Sequence, residues 1–157
     1  MIFPEIGELA PNFTLLNQDG EKIELKSFRG IKNVVVYFYP RASTPGCTTQ
    51  ACAIRDSKDD FDAIGTMVLG VSPDSPLKLK KFYSKYNLGF TILSDDTHDV
   101  AGAYGVWALK NFMGKQFMGI IRTTFIIDIN GYLRHIIAKV NTKTHNLDAI
   151  HYIKDNF

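Results

Sequence analysis

Asn33-Val34-Val35-Val36-Tyr37-Phe38-Tyr39-Pro40, followed three residues later by Thr44-Pro45-Gly46-Cys47, is the stretch on which the fold turns. A near-continuous β-branched and aromatic run of this length reads as a strand buried on both faces, as strands are when helices cover both sides of a sheet. Pro40 ends it. Thr44-Pro45 then supplies a helix start, with Thr at the N-cap and Pro at the first helical position. The helix is expected to run to about residue 64, with Ala51, Ile54, Phe61 and Ile64 on one stripe and Gly65 as its stop.

Working outward, residues 67–72 read as a second buried strand. A helix begins near Ser75-Pro76 and carries Leu79, Phe82, Tyr83 and Tyr86 before Asn87. Upstream, residues 13–16 and 23–25 read as short strands around the turn-forming Asn17-Gln18-Asp19-Gly20, an N-terminal β-hairpin. Downstream, Ile92-Leu93 suggests a short strand and residues 100–104 a short helix. Residues 105–119 read as a loop with no clear element. Residues 120–128 and 132–138 flank Asn130-Gly131, a strong hairpin signal. Leu147, Ile150 and Ile153 mark the apolar face of a last helix. The order ββ–βαβα–(β)α–ββα predicts an α/β fold, with a mixed central sheet flanked by helices on both faces.

The chain has 157 residues, 45% hydrophobic and 22% charged, with a formal net charge of +2. That length suits a single domain over residues 1–157, and no repeat, low-complexity tract or linker argues otherwise. So small a charge, without a clustered basic stripe, gives no case for nucleic acid or an anionic membrane as partner. The longest strongly apolar run, residues 34–39, is far shorter than the ~20 residues that span a bilayer. The first residues, Met1-Ile2-Phe3-Pro4-Glu5, lack the basic start and long apolar stretch of a secretory signal, so a cytoplasmic location is expected. In that compartment two nearby cysteines point to redox or metal chemistry before a structural disulfide.

Cys47 falls in the first turn of its helix, where four backbone N–H groups lack internal partners and the helix dipole is positive. An ordinary free cysteine, with pKa near 8.5, is only about 3% ionised at pH 7. Helix N-termini and nearby arginines lower thiol values to roughly 3.5–7.5, so the position favours a nucleophilic thiolate over a small buried apolar residue. Cys52 follows five residues later on the same helix. Five helical residues climb about 7.5 Å and turn about 500°, which separates the two Cα atoms by roughly 8.6 Å. A disulfide tolerates about 7 Å, so the pair cannot bond while the helix is intact. The spacing differs from Cys-x-x-Cys exchange motifs. His98, His135, His145 and His151 are scattered without ligand spacing, so no metal site is expected.

The segments Tyr37-Phe38-Tyr39-Pro40, Thr44-Pro45-Gly46-Cys47-Thr48-Thr49, Ala51-Cys52 and Arg55-Asp56 resemble the atypical two-cysteine peroxiredoxins, within them the peroxiredoxin Q or bacterioferritin-comigratory group. Tyr104-Gly105-Val106-Trp107 and Gly119-Ile120-Ile121-Arg122-Thr123-Thr124-Phe125-Ile126-Ile127-Asp128 agree, and the similarity runs from Ala10-Pro11-Asn12-Phe13 to the last helix. The resemblance implies a thioredoxin-like fold and a peroxidatic cysteine at Cys47. It implies a resolving cysteine at Cys52 and catalytic roles for Pro40, Thr44 and Arg122. It further implies a peroxide substrate, no metal or organic cofactor, and thioredoxin or a similar dithiol protein as reductant, while monomer and weak homodimer both stay open.

Two departures from the group's pattern stand out. Gln50 replaces the usual Glu, removing a negative charge three residues from the thiol, and Arg41-Ala42-Ser43 replaces a segment that commonly holds Lys and Asp. The competing readings are a general thiol–disulfide oxidoreductase and a redox-dependent chaperone or binding module on the same fold. Thr44 argues against the first, because disulfide exchange has no use for a group that handles a peroxide proton. Cys47, Thr44 and Arg122 together argue against the second.

Overall fold

A computed structural model describes residues 2–157. The N-terminal hairpin forms from β1 (Thr14–Asn17) and β2 (Lys22–Glu24), followed by a short 3-10 turn at Leu25–Phe28. The decisive run becomes β3 (Asn33–Phe38), whose residues Val34 to Phe38 are all buried. The chain continues through α1 (Pro45–Asp56), α2 (Lys58–Ala63), β4 (Thr66–Ser72), α3 (Pro76–Tyr86), β5 (Thr91–Ser94) and α4 (Asp99–Ala103). It ends with β6 (Trp107–Phe112), β7 (Lys115–Ile120), β8 (Thr123–Ile127), β9 (Leu133–Ile137) and α5 (His145–Asn156).

Seven strands make one sheet in the order β2-β1-β5-β4-β3-β8-β9. β3, β4 and β5 are parallel, as the two βαβ steps require, while β1 and β8 add to this core antiparallel. The mixed α/β sheet read from the sequence is therefore the observed one. One buried cluster packs α1, α2, α3 and α5 on one face of the central strands around Val35, Tyr37, Ile54 and Phe82. A second cluster fills the opposite face around Val36, Phe38, Tyr104 and Phe125.

Four local expectations need correction. The long helix after Cys47 is two helices, because α1 ends at Asp56 and α2 starts at Lys58. Neither Gly nor Pro marks this break. Ser57 sits at it with non-helical backbone, and its hydroxyl accepts a hydrogen bond from Asn146 Nδ2 at 2.7 Å, which ties the break to α5. Residues 105–119, read as a loop, contain the β6–β7 hairpin, a separate two-stranded sheet. Its turn takes positive φ at Met113 (51°) and Gly114 (79°), a demand that Asn-Gly usually advertises and Met-Gly does not. The strand expected from residue 120 starts at Thr123, since Ile120 belongs to β7. On α5, Leu147 is exposed, and the buried face is His145, Ala149, Ile150 and Ile153.

At the Asn130-Gly131 hairpin, the Asp128 carboxylate accepts the N–H groups of Asn130 and Tyr132, and Gly131 takes the left-handed backbone at φ 91°.

Candidate active site

β3 delivers the chain to the edge of the core, and Pro40 turns it into the 41–44 loop. Asp74 holds that loop by accepting the Ala42 N–H at 2.7 Å, while Ser43 adopts left-handed backbone at φ 65°. Thr44 occupies the N-cap position with extended backbone. Its hydroxyl does not cap the helix as expected. It donates instead to the Arg41 carbonyl at 2.9 Å, which keeps the oxygen on the loop side of the helix start.

Cys47 lies in the first turn of α1 and is 1% exposed. Arg122, in the two-residue link between β7 and β8, points its Nη2 at the Cys47 Sγ from 3.3 Å. A Cβ at Gly46 would stand 3.4 Å from Nη2, an ordinary contact, so the approach of Arg122 does not depend on the glycine. The same guanidinium donates through Nη1 to Gln50 Oε1 at 2.6 Å. Gln50 is fully buried, and its Nε2 lies 3.1 Å from His145 Nδ1; His145 Nε2 in turn lies 2.6 Å from Thr124 Oγ1. A second cation, Lys110 of β6, donates to the Ile120 carbonyl at 2.9 Å. Burial pushes its ammonium down from the ordinary lysine range and Arg122 adds to this, while Cys47 acts in the opposite direction.

Beside the loop a cleft of about 490 Å³ is bounded by Pro40, Thr44, His98, Trp107, Lys110 and Phe117. Its floor is fixed by the His98 ring stacked on Trp107, with centroids 3.8 Å apart. Neither cysteine lines this cleft, nor a second cavity of about 160 Å³ lined by Phe61, Val68 and Phe90.

Cys52 is half-buried on the same helix, and both cysteines are free thiols. Of the residues singled out from the sequence, the fold gathers Cys47 and Arg122 into contact and sets Pro40 and Thr44 together on the cleft wall. It keeps Cys52 on the far side of an intact helical segment.

Sequence reasoning passed over Lys110 and Thr124, weighed His145 only as a metal ligand, and read Gln50 for its lost charge without a partner. Spacing could have found two of these. His145, Ala149 and Ile153 recur every four residues, and Cys47, Gln50, Ala51 and Ile54 follow a helical i, i+3, i+4, i+7 pattern, so the polar pair belongs to two buried stripes. Among the described residues, no group of three or more His, Cys, Asp or Glu side chains is placed to hold a metal ion.

The family model described as AhpC/TSA matches residues 6–136. The chain belongs to the AhpC/TSA family. Among curated relatives, it is 49% identical over 149 residues to a putative peroxiredoxin Bcp of Haemophilus influenzae, covering 95% of this chain and 96% of that protein. It is 45% identical over 150 residues to the peroxiredoxin Bcp of Escherichia coli, covering 96% of each. Among solved structures it superposes with a TM-score of 0.86, at 32% identity and covering 91% and 90% of the two chains, on the bacterioferritin comigratory protein of Xanthomonas campestris, a structure described for alkyl peroxide reduction. This peroxiredoxin is therefore a thiol peroxidase, an oxidoreductase on the thioredoxin fold, as its sequence motifs imply.

Proposed function

We propose that the enzyme reduces hydrogen peroxide and organic hydroperoxides through Cys47, resolves the oxidised sulfur with Cys52, and is recycled by thioredoxin. The observation that carries this reading is the Arg122 guanidinium 3.3 Å from the sulfur at the start of α1. A permanent cation with a rigid fork of donors favours the thiolate and remains in place as charge builds on the departing oxygen. The thiolate attacks one peroxide oxygen, the O–O bond breaks, and the other oxygen leaves as hydroxide or alkoxide. Cys47 becomes a sulfenic acid, and the leaving oxygen takes up a proton. Thr44, whose hydroxyl both donates and accepts, suits the passage of that proton, and Pro40, with no N–H, shapes the wall beside the sulfur. The aromatic cleft wall at Trp107 and Phe117 supports the extension to organic hydroperoxides.

Condensation of the sulfenic acid with the Cys52 thiol releases water and forms the Cys47–Cys52 disulfide. The first turns of α1 must unwind for this, given the roughly 8.6 Å between helical positions five apart. An external dithiol then reduces the disulfide by exchange. Such a cycle belongs in a reducing compartment, in keeping with a cytoplasmic enzyme.

Peroxide consumption coupled to thioredoxin and its reductase tests the reading. Cys47→Ser is expected to be inactive. Cys52→Ser is expected to complete one turnover and then stall; sustained wild-type turnover in either variant defeats the corresponding role. Amide exchange across residues 44–56 tests the unwinding, which predicts weaker protection in the disulfide form than in the dithiol form.

A further inference from the structure

The Arg122–Gln50–His145–Thr124 chain has a direction, and the guanidinium sets it. Arginine has donors only, so the Gln50 atom 2.6 Å from Arg122 Nη1 must be the amide oxygen. The Gln50 amide nitrogen, with two donors, is thereby turned toward His145 Nδ1 at 3.1 Å. That nitrogen must carry a lone pair, so the ring proton sits on Nε2 and is donated to Thr124 Oγ1 at 2.6 Å. A proton on Nδ1 would set donor against donor. The amide could relieve this only by turning its NH2 toward Arg122, which repeats the conflict there.

We propose that His145 is a positioning residue for the peroxide-reducing centre: the Nδ1 lone pair fixes the amide of Gln50, and through it the guanidinium that faces Cys47. This rests on the role proposed for Arg122. The burial of the relay supports it, since Gln50 and His145 are 0% and 1% exposed and an unpaired polar group there is costly. Loss of the acceptor would therefore be met by rearrangement of the amide. Tyr37 on β3 closes the ring's other side, its centroid 5.4 Å away in an edge-on contact. The charged groups acting on His145 are Arg122, which disfavours a second ring proton, and Asp148 on α5, which favours one. Burial dominates both and pushes the imidazole down to about 4, so the lone pair persists through neutral pH.

Two isosteres separate this role from simple packing. In His145→Asn the side-chain oxygen branches from Cγ as Nδ1 does and can still accept from Gln50. In His145→Gln the amide reaches toward Thr124 and leaves a methylene where the acceptor was. The readout is the rate of Cys47 oxidation in the reduced enzyme after rapid mixing with peroxide, followed across pH, beside the thermal midpoint. His145→Gln should lose about tenfold or more in rate, with the acid limb moved to higher pH, while His145→Asn stays within about threefold of wild type. Equal rates in the two variants would overturn the proposal, whatever their melting points.

Arg122→Leu is the control. If it reacts as fast as wild type, the reading of Arg122 fails. If it is slow while both His145 variants are fast, only the relay fails. Should neither His145 variant fold, ring nitrogen NMR shifts of the wild-type enzyme decide: a bare Nδ1 and protonated Nε2 are expected between roughly pH 5 and 8, and the opposite tautomer overturns the proposal.

Discussion

Cys47 and Cys52 lie five residues apart on α1, and each has an arginine nearby. Arg122 comes from another part of the chain, on the link before β8, and is aimed at the Cys47 sulfur. Arg55 sits three residues beyond Cys52 on the same helix, yet its Nε donates to Asp56 at 2.9 Å and its Nη1 to the Tyr86 carbonyl at 2.8 Å. The first sulfur is sealed at 1% exposure at a helix start, where backbone donors are unspent; the second is half-buried past the first turns, where they are used. Residue type is the same in both places. What separates the two sulfurs, and on the proposed cycle sets the attacking thiol apart from the resolving one, is the direction of a guanidinium and the position along one helix.

Replacing the two arginines is the strongest way to break this contrast. Arg122→Leu should slow Cys47 oxidation by about 10²–10³, the scale of losing one donor aimed at developing charge, whereas Arg55→Leu should change it less than about twofold. Rapid-mixing kinetics at several peroxide concentrations would show both, and equal losses would dissolve the distinction.

Next in size is the acid stability of the Cys47 end of the molecule. His145 has a folded value of about 4 against an ordinary 6.5, so the unfolded chain binds a proton that the folded one refuses. The stabilisation from keeping this ring neutral is complete above about pH 6.5 and is lost as pH falls toward 4. The loss amounts to about 3 kcal/mol over that window. Denaturant titrations at both ends should find it in wild type and much less of it in His145→Asn.

The smallest effect belongs to the hydroxyls of α1 and its cap. Thr44→Val should lower the peroxide reaction about tenfold, less than the roughly 10²–10⁴-fold typical of a general acid or base. Thr49→Val, which loses only a bond to the Pro45 carbonyl on an exposed face, should leave the rate unchanged. A comparable drop in both would reduce Thr44 to a helix-start residue.

Much of this was legible in the sequence because the deciding features are local. Val34 to Phe38 announce a strand buried on both faces, and Thr44-Pro45 announces a helix start that leaves Cys47 in the first turn. The β6–β7 hairpin was not legible, since it stands outside the main sheet with Lys115 to Met118 all exposed and so shows no alternation of apolar and polar positions. The break at Ser57 was hidden because a tertiary bond from Asn146, and no backbone breaker, marks the place. The Gln50–His145 pair was hidden for a related reason: 95 residues separate its members, and only the packing of α1 against α5 brings them together.

Ser57 also limits how far an opening of α1 can spread. A helix that must melt to complete a chemical cycle endangers whatever it is continuous with, because helical order propagates cooperatively along the chain. Here the continuity is already interrupted, and α5 anchors the interruption through Asn146. In the language of cooperative units, the proposed cycle makes α1 a foldon with a fixed edge, opening at each turnover while α2 and the core behind the buried Phe61 remain closed. Redox-dependent loss of amide protection should therefore stop abruptly at Ser57, making that residue the border between the part of the enzyme that turns over and the part that endures.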